Sequence, residues 1–455
     1  MNPTQPKNQK VHLKTLPPGP ESRALRERED RCLAPGTQAY ALTSGIAVDS
    51  ARGSAITDVD GNVFLDFIGG IGVNGLGHSH PTFVSALASQ AAEVSVGSLT
   101  SRARVELLER LRSHLPPTLD RVQLYTSGAE AVESALRLAK SHTQKFEVAS
   151  FWGGFHGKTL GAMSLMGSPA KRGLGPLATG THVVPYADCY RCPFGSTYPT
   201  CGLACAEAAR KQLNAQSAGA LAAVIVEPMQ GTAGNVIPPD DFLRAVRSIA
   251  DENDALLIAD EMITGVGRTG RYWGIEHAGV RPDIMTIGKS FGGGYPLSGV
   301  VTTNAIAQAK PWANPSGSSS SHGGNPLACA AGAAALRIVD EEDLVSNARD
   351  VGERMLGALQ PFVDRYPFVG EVRGRGMFLA IELVKDKRTK EPLDTRVTRR
   401  VYDALVQRGL LTMAYAPRVR LQPALTLDVE TMQNGVEILG EVFDRVLRER
   451  WWDSP

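Results

Sequence analysis

The chain has 455 residues, 43% of them apolar, which allows two cores, since a single core stops growing near roughly 250–300 residues. Acidic and basic residues nearly cancel, leaving a net charge of +1, so neither nucleic acid nor an anionic membrane is an expected partner and a small molecule is. The opening MNPTQPKNQKVHLKTLPPGP lacks the apolar segment of a secretory signal, and no apolar run reaches the ~18 residues of a membrane span, so a cytoplasmic protein is expected.

Residues 1 to about 35 read as an extended arm running into a short charged helix, ESRALRERED. Next, SAITDVDGNVFLDF carries two short alternating segments around Asp60-Gly61, a hairpin signal. From Pro81 to Val224, apolar strand-like runs alternate with helical patterns, as in RVQLYTSGAEAVESALRLAKSH. That alternation predicts a parallel sheet with crossover helices. ALAAVIVEP, ALLIADE and DIMTIGKS are nearly continuous apolar runs, as expected of strands covered on both faces. Near residue 335 the pattern turns to amphipathic helices, VGEVRGRGMFLAIELV and a last helix, GVEILGEVFDRVLRERW. The predicted class is α/β: a large domain over 81–335, and a small α+β domain over 336–455 with which residues 1–80 pack.

Three of these strands end in ionisable side chains, Glu227, Asp260 and Lys289. In an open parallel sheet, ligands sit beyond the carboxyl ends of the strands, so the three can converge on one site. A lysine and a carboxylate there could simply pair, but desolvating both makes such a pair a weak stabiliser. The glycine run from Gly292 to Gly294 reads instead as backbone kept clear for a ligand.

In YTSGAEAVES a strand passes into a helix through Ser127, Gly128 and Ala129, which offers free N–H groups, a hydroxyl and the positive end of a helix dipole. The same turn also reads as an ordinary N-cap, with Glu130 completing a capping box. Taken together, a lysine for an aldehyde, an acid for a pyridine nitrogen and an anion hole meet the needs of pyridoxal 5′-phosphate (PLP).

VEPMQG, LLIADEMITGVGRTGRYWG, DIMTIGKSFGGGYPLSGV and GGNPLACAAG resemble the signatures of the class III (ω-amino acid) aminotransferases, dimeric enzymes of PLP fold type I. DVDGNVFLDFIGGIGVNGLGHSHP and GGFHGKTLGAMS resemble that family's N-terminal motifs. The resemblance implies that Lys289 bonds the cofactor aldehyde and, once released, shuttles a proton. It implies that Asp260 pairs with the pyridinium and that Ser127, Gly128 and Ala129 hold the phosphate. Phe155 would stack on the ring with His156 beside it, and Glu227 would line the site. Ser321 stands where the family has a threonine that reaches the phosphate across a homodimer interface. Arg420, in RVRLQPALTL, matches the substrate-carboxylate arginine, whose fork suits that ligand, although it also reads as a surface-strand arginine.

Two positions depart from the family's pattern. Thr232 stands where many ω-amino-acid transaminases have a glutamate that neutralises the arginine, and Ile263 stands where many relatives have a glutamine near the cofactor's 3′-oxygen. The expected reaction is ping-pong transamination from an amine or ω-amino acid, 4-aminobutyrate-like or diamine-like, to pyruvate or 2-oxoglutarate. Racemisation, epimerisation or decarboxylating transamination uses the same lysine and ring, and a non-catalytic PLP-binding protein is the remote alternative.

CYRCPFGSTYPTCGLAC packs four of the six cysteines into one stretch, Cys189, Cys192, Cys201 and Cys205. The spacing approaches patterns that fold around Zn²⁺, and it reads equally as four free thiols in a loop fixed by packing. The PLP reaction itself calls for no metal.

Overall fold

The apolar runs become strands with both faces covered. All six residues of Leu221–Val226 and all four of Ile284–Ile287 are buried, as expected where helices shield both sides of a parallel sheet. This computed structural model describes residues 5–453. The chain forms two compact units, residues 85–342 and residues 5–84 with 343–453.

In chain order the strands are β1 Val48–Arg52, β2 Ala55–Asp58, β3 Val63–Asp66, β4 Arg121–Tyr125, β5 Glu147–Phe151, β6 Thr181–Val184, β7 Leu221–Val226, β8 Leu256–Asp260, β9 Ile284–Ile287 and β10 Ser298–Thr302. β11 Val369–Arg375, β12 Phe378–Asp386, β13 Glu391–Pro392, β14 Leu410–Leu411, β15 Met413–Ala416 and β16 Arg418–Leu421 follow.

The unit of residues 85–342 is built on a seven-stranded sheet in the order β4-β10-β9-β8-β7-β5-β6. β5 to β9 run parallel, while β10 is antiparallel to both its neighbours, β9 and β4. The sequence patterns did not single out β10. The chain leaves Ile287, makes a tight turn over Lys289–Gly292 and re-enters the sheet at Ser298. A connection that short returns the chain antiparallel, because a parallel neighbour needs a crossover of about a dozen residues or more.

The helix Gly128–Thr143 starts on a complete capping box between Ser127 and Glu130. Its Ala131, Val132, Ala135, Leu138 and Ala139 recur at helical spacing and share one core with Val148, Ile225, Ile258, Ile284 and Val300. Leu138 is fully buried there, so Leu138→Ala should cost about 2–5 kcal/mol.

In the other unit, β2 and β3 form the hairpin around Asp60-Gly61, and the N- and C-terminal segments share one sheet in the order β1-β2-β3-β14. A second sheet runs β11-β12-β16-β15, with β13 on β12. The charged helix near the N-terminus spans Pro20–Asp30, and its first N–H groups, those of Glu21 and Ser22, donate to the Asp60 carboxylate at 2.8 and 2.9 Å. The hairpin turn therefore caps a helix far upstream in sequence. Among the described residues no helix is long and apolar enough to cross a membrane.

Candidate active site

The carboxyl ends of β7, β8 and β9 carry the expected residues: Glu227 directly follows β7, Asp260 closes β8, and Lys289 stands two residues beyond β9. Asp260 is 2% exposed and held at three points. His156 Nδ1 lies 2.7 Å from its Oδ2, and the Met262 N–H and the Thr286 hydroxyl donate to Oδ1 at 3.2 and 3.1 Å. Three such partners compensate a carboxylate that would otherwise be costly to bury.

Glu227 is equally enclosed. Its Oε1 accepts the Phe155 N–H at 2.9 Å and its Oε2 the Gly231 N–H at 3.0 Å, so one carboxylate ties two loops together. Burial pushes its pKa above the ordinary value, and the Asp260 charge adds to this against His156 and the two N–H groups. Burial works against a charge on His156, yet the hydrogen bond and charge of Asp260, with Glu227 behind it, raise its pKa. Glu227, His156 and Asp260 thus form one buried, interacting set. Half-buried Phe155 stands beside it.

Lys289 has φ +49°, in the left-handed region that a non-glycine residue occupies only when its surroundings hold it there. Gly288, before it, approaches Met262 so closely that a Cβ would fall 2.6 Å from the thioether sulfur, and Gly128 meets the same sulfur at 3.1 Å. The Ser127 carbonyl accepts a 2.7 Å hydrogen bond from Ser298 on β10. A Cβ on Gly157, whose φ is +136°, would stand 2.7 Å from the Ala129 Cβ. These contacts gather Lys289, Asp260, the Ser127-Gly128-Ala129 turn, Phe155, His156 and Glu227 at one end of the sheet.

At that turn the Glu130 carboxylate takes the Thr126 N–H and hydroxyl and the Ser127 N–H at 3.0, 2.7 and 3.3 Å. Gly128 and Ala129 occupy the first helical positions, whose N–H groups have no partner within the helix, and the Ser127 side chain is exposed. An open turn with first-turn N–H groups fits a phosphate, a braced buried carboxylate fits a pyridinium, and a lysine fits an aldehyde. The residues present therefore fit PLP.

Thr286, Met262 and Ser298 escaped sequence reasoning. Thr286 is the one hydroxyl in the apolar strand β9, which was a visible signal. Its partner was not, because that depends on β8 and β9 lying side by side. Ser321 is exposed, and its neighbour Ser320 donates to Glu130 at 2.6 Å. Arg420 belongs to the other unit, where it is 5% exposed on β16 with Nη2 3.3 Å from the Met413 sulfur, and is not a surface arginine. Thr232 is exposed in the turn after Glu227, while Ile263 is buried and packs on Gly231 of that turn.

All four clustered cysteines are free thiols, and they line one small cavity with Tyr186, Tyr198 and Leu203. Burial, with Cys205, Cys201 and Cys192 facing it, pushes the Cys189 thiol up to about 11. Among the described residues no group of three or more His, Cys, Asp or Glu side chains is arranged to hold a metal ion.

Residues 38–443 match the family model described as aminotransferase class-III. The chain is 37% identical over 399 residues to the acetylornithine aminotransferase of Streptomyces coelicolor, covering 87% of this chain and 90% of that one. It is 32% identical over 399 residues to the leucine/methionine racemase of Thermococcus litoralis, covering 87% and 89%. Among solved structures it superposes on the PLP-bound amine transaminase of an uncultivated Pseudomonas species with a TM-score of 0.85 at 32% identity, over 91% of this chain and 98% of that one.

Proposed function

The chain belongs to the class III aminotransferases, PLP-dependent transferases of fold type I, and from that premise we propose that it moves the amino group of an amine or ω-amino acid to pyruvate or 2-oxoglutarate. The observation that carries this reading is the gathering of Lys289, the braced Asp260 and the open Ser127 turn at the ends of β9, β8 and β4 of one sheet.

When bound, PLP supplies an aldehyde that takes up the amino group and a ring that draws electrons from the carbon losing its proton. In our reading Lys289 would be the residue that holds the aldehyde and whose amine would carry the proton of the amine-bearing carbon. Its strained backbone sets the side chain's direction, and an amine serves as proton carrier once its surroundings lower its affinity for the proton. Asp260, braced by His156, Thr286 and the Met262 N–H, would pair with the pyridine nitrogen. The N–H groups of Gly128 and Ala129, with the Ser127 hydroxyl, would hold the phosphate. Phe155, hung from Glu227, would lie against the ring.

Arg420 receives the carboxylate of the acceptor. Thr232 brings no charge to offset that arginine, and buried Ile263 beside the Gly231 turn favours a donor with an apolar body. We further propose that the chain works as a homodimer. Exposed Ser321 would then serve the partner's phosphate turn.

Racemisation is the second reading, favoured by the similarity to the leucine/methionine racemase and by Thr232. Mixing holoenzyme with a panel of amines and ω-amino acids, without oxo acid, separates the two. Stoichiometric conversion of bound PLP to its amino form, followed by recovery with pyruvate or 2-oxoglutarate, supports transamination. Loss of a donor's optical activity without that conversion overturns it in favour of racemisation.

A further inference from the structure

We propose that Thr286 is a positioning residue for the reaction, acting on the cofactor ring through Asp260. This rests on the reading that Asp260 serves the pyridine nitrogen. Strand β9 otherwise carries Ile284, Met285 and Ile287, all fully buried, and Thr286 is as buried as they are. Valine would fill the same space in the middle of a sheet without a hydroxyl to satisfy. The hydroxyl's partner is the Asp260 Oδ1, at 3.1 Å, and the parallel register that sets Thr286 beside Asp260 delivers it there. The Thr286 carbonyl also accepts the Glu261 N–H at 2.9 Å, so the strand grips the chain on both sides of the Asp260–Glu261 peptide.

Two consequences follow from the geometry. His156 holds Oδ2 while Thr286 and the Met262 N–H hold Oδ1, so the carboxylate is pinned at both oxygens and cannot rotate about its Cβ–Cγ bond without breaking a hydrogen bond. Each donor also stabilises the ionised form. Removing the hydroxyl leaves Oδ1 with the Met262 N–H alone, so the carboxylate would hold the pyridine nitrogen less firmly and the ring would draw electrons less well. The ionisable groups facing Asp260 are His156, from the loop after β5, and Glu227, from the end of β7. Neither loses a partner when Thr286 is changed, so the effect is separable from theirs.

The test compares wild-type holoenzyme with Thr286→Val, Thr286→Ser and Asp260→Asn. Four quantities are read: kcat and KM for the donor, the pH midpoint of the bound cofactor's visible absorbance, and the unfolding midpoint. Thr286→Val is expected to lower kcat about tenfold at nearly constant KM, and to move the absorbance midpoint upward by about half a pH unit or more. Thr286→Ser should restore both. Thr286→Ala gives the same readouts if the valine variant does not fold. The proposal is overturned if Thr286→Val only lowers the unfolding midpoint, leaving kcat and the absorbance titration as in wild type while Asp260→Asn abolishes both. If Asp260→Asn itself changes neither, the role given to Asp260 fails, and this inference falls with it.

Discussion

Replacing His156 with leucine tests whether the buried set around Asp260 is one unit. The imidazole is 1% exposed and its Nδ1 stands 2.7 Å from the Asp260 Oδ2. A hydrogen bond to a charged group is worth about 1.5–3 kcal/mol, and breaking a buried pair about 3–5 kcal/mol. The lower part of this range applies, because the Met262 N–H and Thr286 hydroxyl still hold Oδ1. His156→Leu should therefore destabilise the protein by about 2–3 kcal/mol, seen as a urea midpoint lowered by about 1 M. The sign with pH follows from the raised pKa of His156. A raised folded value stabilises fully below the unfolded value and is lost as pH climbs through the folded one, so the variant's deficit narrows in alkaline buffer. If the same 2–3 kcal/mol is missing when the ring draws electrons, kcat falls about 30- to 150-fold. A variant with wild-type kcat and a urea midpoint unchanged at pH 6 would refute the idea that His156 braces Asp260.

Lys289→Ala should remove both the visible absorbance of bound PLP and all turnover, and surviving transamination would place the reactive amine elsewhere. Arg420→Ala should raise KM for the oxo-acid acceptor about 10- to 100-fold while leaving the first half-reaction with a carboxylate-free amine nearly intact; equal losses in both would assign Arg420 to packing. Glu147, buried under hydrogen bonds from the Ser217 hydroxyl and the Ala218 and Ala220 N–H groups, with the His182 Nε2 3.3 Å away, is held at about 2 against the opposing effect of burial. Glu147→Gln should thus cost about 1–2 kcal/mol at pH 7, allowing for screening. Since a depressed carboxylate stabilises above its unfolded value of 4.5 and loses that benefit as pH falls through about 2, the two proteins should converge in acid; a pH-independent gap in denaturation midpoints would point to shape and not charge.

Local signals carried much of this molecule. YTSGAEAVES became strand, capping box and helix because each rests on neighbours within four residues, and the apolar runs before Glu227, Asp260 and Lys289 became covered strands for the same reason. What stayed hidden depends on which distant segments meet. The antiparallel insertion of β10 follows from a short return after Lys289, and it decides that Ser298 reaches the Ser127 carbonyl. Asp60 was legible as a turn residue, but not as the cap of a helix that begins forty residues earlier. Thr286 is the most instructive case. A threonine in an apolar strand is compatible with β structure on propensity alone, and its hydroxyl gains a meaning only when the sheet order places β9 beside β8. Side chains that contact the reacting groups sit at strand ends and turns, where local patterns announce them. Those that brace them lie inside the sheet, where a polar atom in a buried position is the only local trace, and strand order supplies the partner.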